Sequence, residues 1–239
     1  MLKLAALLLL LSRFAAASTT LYFTNSAISG GTSFSIETGA GTWTYVSEYT
    51  DKMDLSATKT GSISAGTRIG AMTSAIINIG LDRQYYHQTP LAAQTFSGTV
   101  LLQCMGREYN GGDDIAAGCV SIRSCRADAS ACTTLVALTC IGGTVAEWIN
   151  NASHRNVNVL NSVAISGTST AGDILVANIG GTNLVTGATP EFSYKYGGTD
   201  TDCPVNDTTT SDCACRITFS NDVIFVAGSY HRMMMGVGQ

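Results

Sequence analysis

About a dozen short segments alternate apolar with small or polar residues, and each ends in a turn-forming cluster. They include TTLYFT (19–24), TSFSIE (32–37), WTYVSE (43–48), MDLSATKT (53–60), SGTVLLQCMG (97–106) and GCVSIRSC (118–125). CTTLVALTC (132–140), VNVLNSVAIS (157–166), GDILVANIG (172–180), EFSYKYGG (191–198), CRITFS (215–220) and DVIFVAG (222–228) continue the series. The segments recur at a spacing of roughly 8–15 residues and are rich in Val, Ile, Thr, Tyr and Phe. The pattern predicts an all-β fold, a jelly-roll-like antiparallel β-sandwich. The sandwich is expected over residues 19–228, with an apolar arm at 1–18 and a Met-rich tail at 229–239. TVAEWINNAS (144–153) reads as one short helix at most. QYYHQTP (84–90) reads as an exposed edge bearing aromatic side chains.

The first eighteen residues, MLKLAALLLLLSRFAAAS, do not belong to that pattern. Lys3, the run Leu4–Leu11 and the alanines 15–17 follow the order of a secretion signal. Arg13 interrupts that order between the apolar run and the alanines. The run is too short to span a bilayer, which takes about 20 apolar residues. Read as a helix, it puts Leu4, Leu7, Leu8, Leu11 and Phe14 on one face. Each buried leucine is worth about 1.5–3 kcal/mol, so such a helix needs a groove to lie in. The reading favoured here is a retained docking arm, with a cleaved signal as the alternative.

Eight cysteines lie between Cys104 and Cys215. No C-x-x-C pair occurs, and His87, His154 and His231 stand far apart, so zinc-site spacing is absent. Disulfides are the favoured reading. Two local pairs stand out: Cys125 with Cys132 around RADASA, and Cys203 with Cys213 around PVNDTTTSD. The remaining pairings, and cross-links between subunits, stay open.

The sequence carries no nucleophile elbow, phosphate loop or metalloprotease helix motif. The fragment GTSTAG (167–172) is a turn entering a strand. His87 stands without a sequence partner for base catalysis, and no carboxylate pair is set by strand spacing. The expectation is therefore no enzyme, no catalytic residue and no cofactor. Asp113 and Asp114 in NGGDD, with Asp200 and Asp202 in GGTDTD, form weak Ca²⁺ candidates that read more simply as solvated turns. Asn151-Ala-Ser and Asn206-Asp-Thr match the glycosylation triplet. Only 13% of residues are charged and the net charge is −4, so there is no basic footprint for nucleic acid.

The segments TTLYFTNSAISG, FSGTVLLQCMGREYNGGDD (96–114), GDILVANIGGTN (172–183), FSYKYGG (192–198) and CRITFSNDVIF (215–225) are similar, in order, to strands of small tailed-bacteriophage virion β-sandwich proteins. The resemblance extends over most of residues 19–226. Its motifs are short, and the cysteines and the apolar start depart from the family pattern. It implies a capsid decoration (cement) protein or a head or tail appendage, on the particle surface. The partners it implies are further copies of the chain and a major capsid or tail lattice. It implies no catalytic residue. The alternative is a secreted carbohydrate-binding or adhesive module, with Trp43, Tyr45, Tyr85 and Tyr86 as a sugar-stacking platform. A β-sandwich hydrolase of unrecognised type is a third reading.

Overall fold

The computed structural model describes residues 18–28, 34–36, 43, 45–46, 52–61, 64–65, 79–108, 115–140, 155–183, 192–204 and 212–226. Those residues are all-β, with no helix among them. The strands are β1 (Thr19–Ala27), β2 (Tyr45–Val46), β3 (Lys52–Ser56), β4 (Ser64–Ala65), β5 (Ile79–Tyr86), β6 (Gln94–Phe96) and β7 (Thr99–Glu108). They continue with β8 (Ile115–Cys125), β9 (Cys132–Cys140), β10 (Arg155–Ala164), β11 (Gly167–Ser169), β12 (Ile174–Asn183), β13 (Phe192–Tyr196) and β14 (Arg216–Phe219).

Twelve strands form one sheet in the order β4-β13-β7-β14-β1-β3-β5-β12-β8-β9, with β10 added on β7 and β2 on β5. β6 and β11 make a separate two-stranded ladder. Along one edge of β7, β14 and β13 lie end to end, while β10 occupies the other edge. β10 comes close to β8 and β9, so the sheet curls nearly into closure. Most ladders are antiparallel, but β2 and β3 both run parallel to β5, which makes the sheet mixed.

Period-2 alternation explains the flanking strands. In β3, Met53 and Leu55 are buried while Lys52, Asp54 and Ser56 are half-buried; in β14, Ile217 and Phe219 are buried and Arg216 and Thr218 are not. The apolar sides meet inside the curl in one core fed by nearly every strand. An aromatic group lies at its centre. Phe23 meets Tyr85 edge-on at 4.7 Å between centroids, and Tyr85 lies 5.3 Å from Tyr196. The Tyr194 hydroxyl, fully buried, donates to the Gly180 carbonyl at 2.6 Å.

The stretch β5–β12–β8 is buried on both faces. Its inner residues, Tyr85, Ala177, Ile179, Val120 and Ile122, join the main core. On the outer face, Phe34 packs with Tyr86, Cys125 and Val176, and Trp43 packs with Leu81 and Cys119. Phe34–Ile36 thus cover the sheet instead of forming a strand. This arrangement corrects the expectation for QYYHQTP. β5 lies between β3 and β12, so Tyr85, Tyr86 and His87 are buried rather than exposed on an edge. The expectation for DVIFVAG is corrected as well. Residues 222–226 form one isolated bridge, Leu91 to Phe225, and no strand. The arm at 1–17, the helix expected at 144–153 and the tail at 229–239 lie outside the described residues.

Gly180 makes the outer layer possible. A Cβ there would stand 1.9 Å from the Gly80 carbonyl oxygen and 2.6 Å from the Trp43 ring. The β5–β12 register also shifts between Ile179 and Gly180. Gly180→Ala is expected to lower unfolding stability by about 1–3 kcal/mol through overpacking against backbone that cannot yield. Urea unfolding of the variant against the parent protein measures this.

Candidate functional site

Charged side chains gather where the Cys203–Cys213 disulfide meets the sheet. Two Asp-Cys dipeptides, Asp202-Cys203 and Asp212-Cys213, form the two feet of the stapled loop. Each carboxylate reaches a lysine: Asp202 to Lys59 at 2.7 Å and Asp212 to Lys195 at 2.5 Å. The Tyr22 hydroxyl donates to Asp202 at 3.2 Å, and the Arg216 guanidinium lies 3.8 Å from its other oxygen. Arg216 also donates twice to the Cys203 carbonyl, at 3.1 and 3.3 Å. Lys59 donates to the Asp200 carbonyl at 2.7 Å. Partial burial, reinforced by the Asp202 charge, raises the Tyr22 phenol above its usual pKa of 10, so it remains a donor.

This geometry gives Asp202 a different role from the one expected. Its oxygens are engaged by two cations and a phenol, so its charge is already neutralised. Asp200 contributes a main-chain carbonyl to Lys59. No cluster of three or more metal-ligating side chains occurs among the described residues. Asp113 and Asp114 lie outside the described residues, as do Asn151 and Asn206. The cluster can instead position a stapled loop, since ion pairs at both feet fix where its chain leaves the sheet.

All eight cysteines are paired within the chain: Cys104–Cys215, Cys119–Cys140, Cys125–Cys132 and Cys203–Cys213. Both loops that the sequence marks for local closure are closed by disulfides. Four disulfides fit an extracellular or otherwise oxidising location. No helix among the described residues is long and apolar enough to cross a membrane.

The proposed sugar platform does not form from the expected side chains. Trp43, Tyr85 and Tyr86 are buried. The Tyr86 hydroxyl donates to the Gln84 side-chain oxygen, and burial pushes its pKa up to about 12. The Tyr45 side chain is outside what the structure describes.

His87 is a packing residue. Its ring stacks on Phe225 at 3.9 Å, and its Nδ1–H donates to the Thr89 carbonyl at 2.8 Å. The segment after it is tied down by Ala92 N–H to the Ile224 carbonyl and by Val226 N–H to the Pro90 carbonyl. A second polar cluster locks the turn into β12. The buried Asp173 carboxylate accepts from the Ser124 hydroxyl at 2.9 Å and the Thr170 N–H at 2.8 Å.

Sequence reasoning missed Tyr22, Lys59, Lys195 and Arg216, which lie on four separate segments. The repeated Asp-Cys dipeptide was the available signal, because an acid beside each end of a staple asks for a cation nearby. No family model matches the chain, and no curated protein matches it.

Burial lowers the pKa of His87, outweighing its bond to Thr89 and the pull of Asp54. The folded state therefore binds fewer protons at this site than the unfolded chain. Its contribution to stability is fully present above about pH 6.5 and is lost as pH falls through the lowered folded value. Urea midpoints measured between pH 8 and 5 should fall with acid, and His87→Gln should flatten that part of the slope.

Proposed function

We propose that this chain is a non-enzymatic virion structural protein of a tailed bacteriophage. Within that reading it is a capsid decoration (cement) protein with a jelly-roll-like sandwich, stabilising the particle through contacts with its own copies and a capsid or tail lattice. The observation that carries the reading is how the chain's chemistry is spent. Four disulfides and the ion pairs of Lys59, Lys195 and Arg216 all bind the protein to itself. What remains outward on β6, β9 and β11 is uncharged hydroxyl surface, with Thr95, Thr133, Thr134 and Thr168 exposed. A rigid, charge-poor shell of this kind suits repeated packing in a lattice. The ordered similarity to phage virion strands supports the same conclusion.

The apolar arm is the proposed lattice contact, through Leu4, Leu7, Leu8, Leu11 and Phe14. The secreted carbohydrate-binding reading loses support from the burial of Trp43, Tyr85 and Tyr86. Deleting residues 1–17 is expected to leave far-UV circular dichroism and thermal unfolding of the β fold unchanged while abolishing incorporation into particles. Full occupancy of particles by the truncated chain would overturn the arm's role. Specific hits on a glycan array would favour the secreted module instead.

A further inference from the structure

The two ends of the described fold lie side by side. Thr19, at the start of β1, pairs with Phe219 in β14. Its hydroxyl donates to the Asp222 carboxylate at 2.8 Å and accepts from the Val223 N–H at 2.8 Å. Val226, the last described residue, follows Val223 by three residues. An extended chain covers roughly 3.3–3.6 Å per residue, so Val226 lies within about 11 Å of Val223. Residues 1–17 and residues 227–239 therefore leave the body from one corner.

That corner carries Ile224, the one large hydrophobic side chain exposed among the described residues, at 55%. Its main chain is fixed by three hydrogen bonds. The Ile224 N–H donates to the Gln94 side-chain oxygen at 3.0 Å, and its carbonyl accepts from the Gln94 amide at 2.8 Å and the Ala92 N–H at 2.9 Å. Phe225, next in the chain, stacks on the His87 ring at 3.9 Å. The tail thus starts from an anchored root. The two arms are alike in chemistry: the apolar run Leu4–Leu11 and Phe14 in one, Met233, Met234 and Met235 in the other. Their charges are Lys3, Arg13 and Arg232, and neither arm has Asp or Glu. All 17 acidic residues lie within residues 18–226, so the body is more negative than the chain's net −4.

We propose that the two arms work as one docking element rooted at Ile224, and that their partner is the body of a second copy of this chain. Apolar arms of this length lose free energy when left in water, so they need a surface to cover. Charge selects that surface, because basic arms are attracted to the net-negative body of another copy. An anionic membrane would attract the arms but repel the body. Arms of one copy lying on the body of the next either close a symmetric oligomer or repeat along a lattice. The inference rests on the retained arm of the virion reading and names that arm's partner.

The test is sedimentation velocity of the purified full chain, free of particles, across the micromolar range, together with its intact mass. The expected species is a dimer or larger that becomes a monomer when either residues 1–17 or residues 227–239 are deleted, with far-UV circular dichroism unchanged. Ile224→Ser, a surface change, should weaken association several-fold. Arg13→Glu with Arg232→Glu should do the same, whereas Arg13→Lys with Arg232→Lys should not. A chain monomeric at every concentration, a mature protein whose mass lacks residues 1–17, association undiminished by either deletion, or full association of Ile224→Ser would each overturn the proposal. Flotation of a monomeric chain with phosphatidylserine vesicles would assign the arms to a membrane instead. Self-association without incorporation into particles would remove the virion reading and leave this inference standing. Incorporation of a chain that stays monomeric in solution would do the reverse.

Discussion

Burial of β12 on both faces is the constraint from which the rest of the architecture follows. Val176 through Thr182 have no solvent-facing side, since β5 and β8 flank the strand while core residues and a covering layer close its faces. A one-residue slip in either ladder would exchange the side chains of the inner core with those packed beneath Phe34 and Trp43. The Gly80–Gly180 approach admits one local adjustment, a register shift that lets Trp43 lie on the sheet. The two disulfides of the β8–β9 hairpin then hold the neighbouring ladder in the same register.

Three hydrogen bonds tie polar side chains of this interior together. Asn178 donates to Ser121, Ser124 to Asp173, and Arg123 to the Ser35 carbonyl. Each bond ties a different layer: two adjacent strands, a strand to a turn, and a strand to the covering segment. A buried donor or acceptor left without a partner costs about 1–3 kcal/mol, so these bonds specify the arrangement as well as stabilise it. Around Asp202 the same logic works at the half-exposed margin, where solvent and salt reduce what each ion pair contributes. There the gain is positional, because Lys59, Tyr22 and Arg216 draw β1, β14 and the stapled loop to one place.

Much of the strand content was legible because alternation is a local property. CTTLVALTC coincides with β9, and TTLYFT, GCVSIRSC and CRITFS fall on β1, β8 and β14 with boundaries displaced by a few residues. The readings failed where a residue's surroundings come from distant segments. QYYH has the composition of a wet edge, yet β3 and β12 enclose it. DVIFVAG has the composition of a strand, yet residues 222–226 hydrogen-bond to the 90–94 region and Thr19 without joining a ladder. The candidate cation ligand Asp202 looked solvated because Lys59 and Arg216 are remote in the chain.

The sequence by itself determined the all-β character and the two short staples, for which period-2 patterning and a handful of intervening residues suffice. It also set the poverty of charge that keeps the described surface neutral. Only the tertiary structure decided that Cys104 joins Cys215 across 111 residues and that Cys119 joins Cys140. It alone decided that β2 and β3 run parallel to β5, and that Trp43 and Tyr85 are core rather than surface. The physical reason is common to all of these. Alternation says which side of a strand prefers burial, but the identity of the neighbouring strand depends on how the whole curled sheet fills one core.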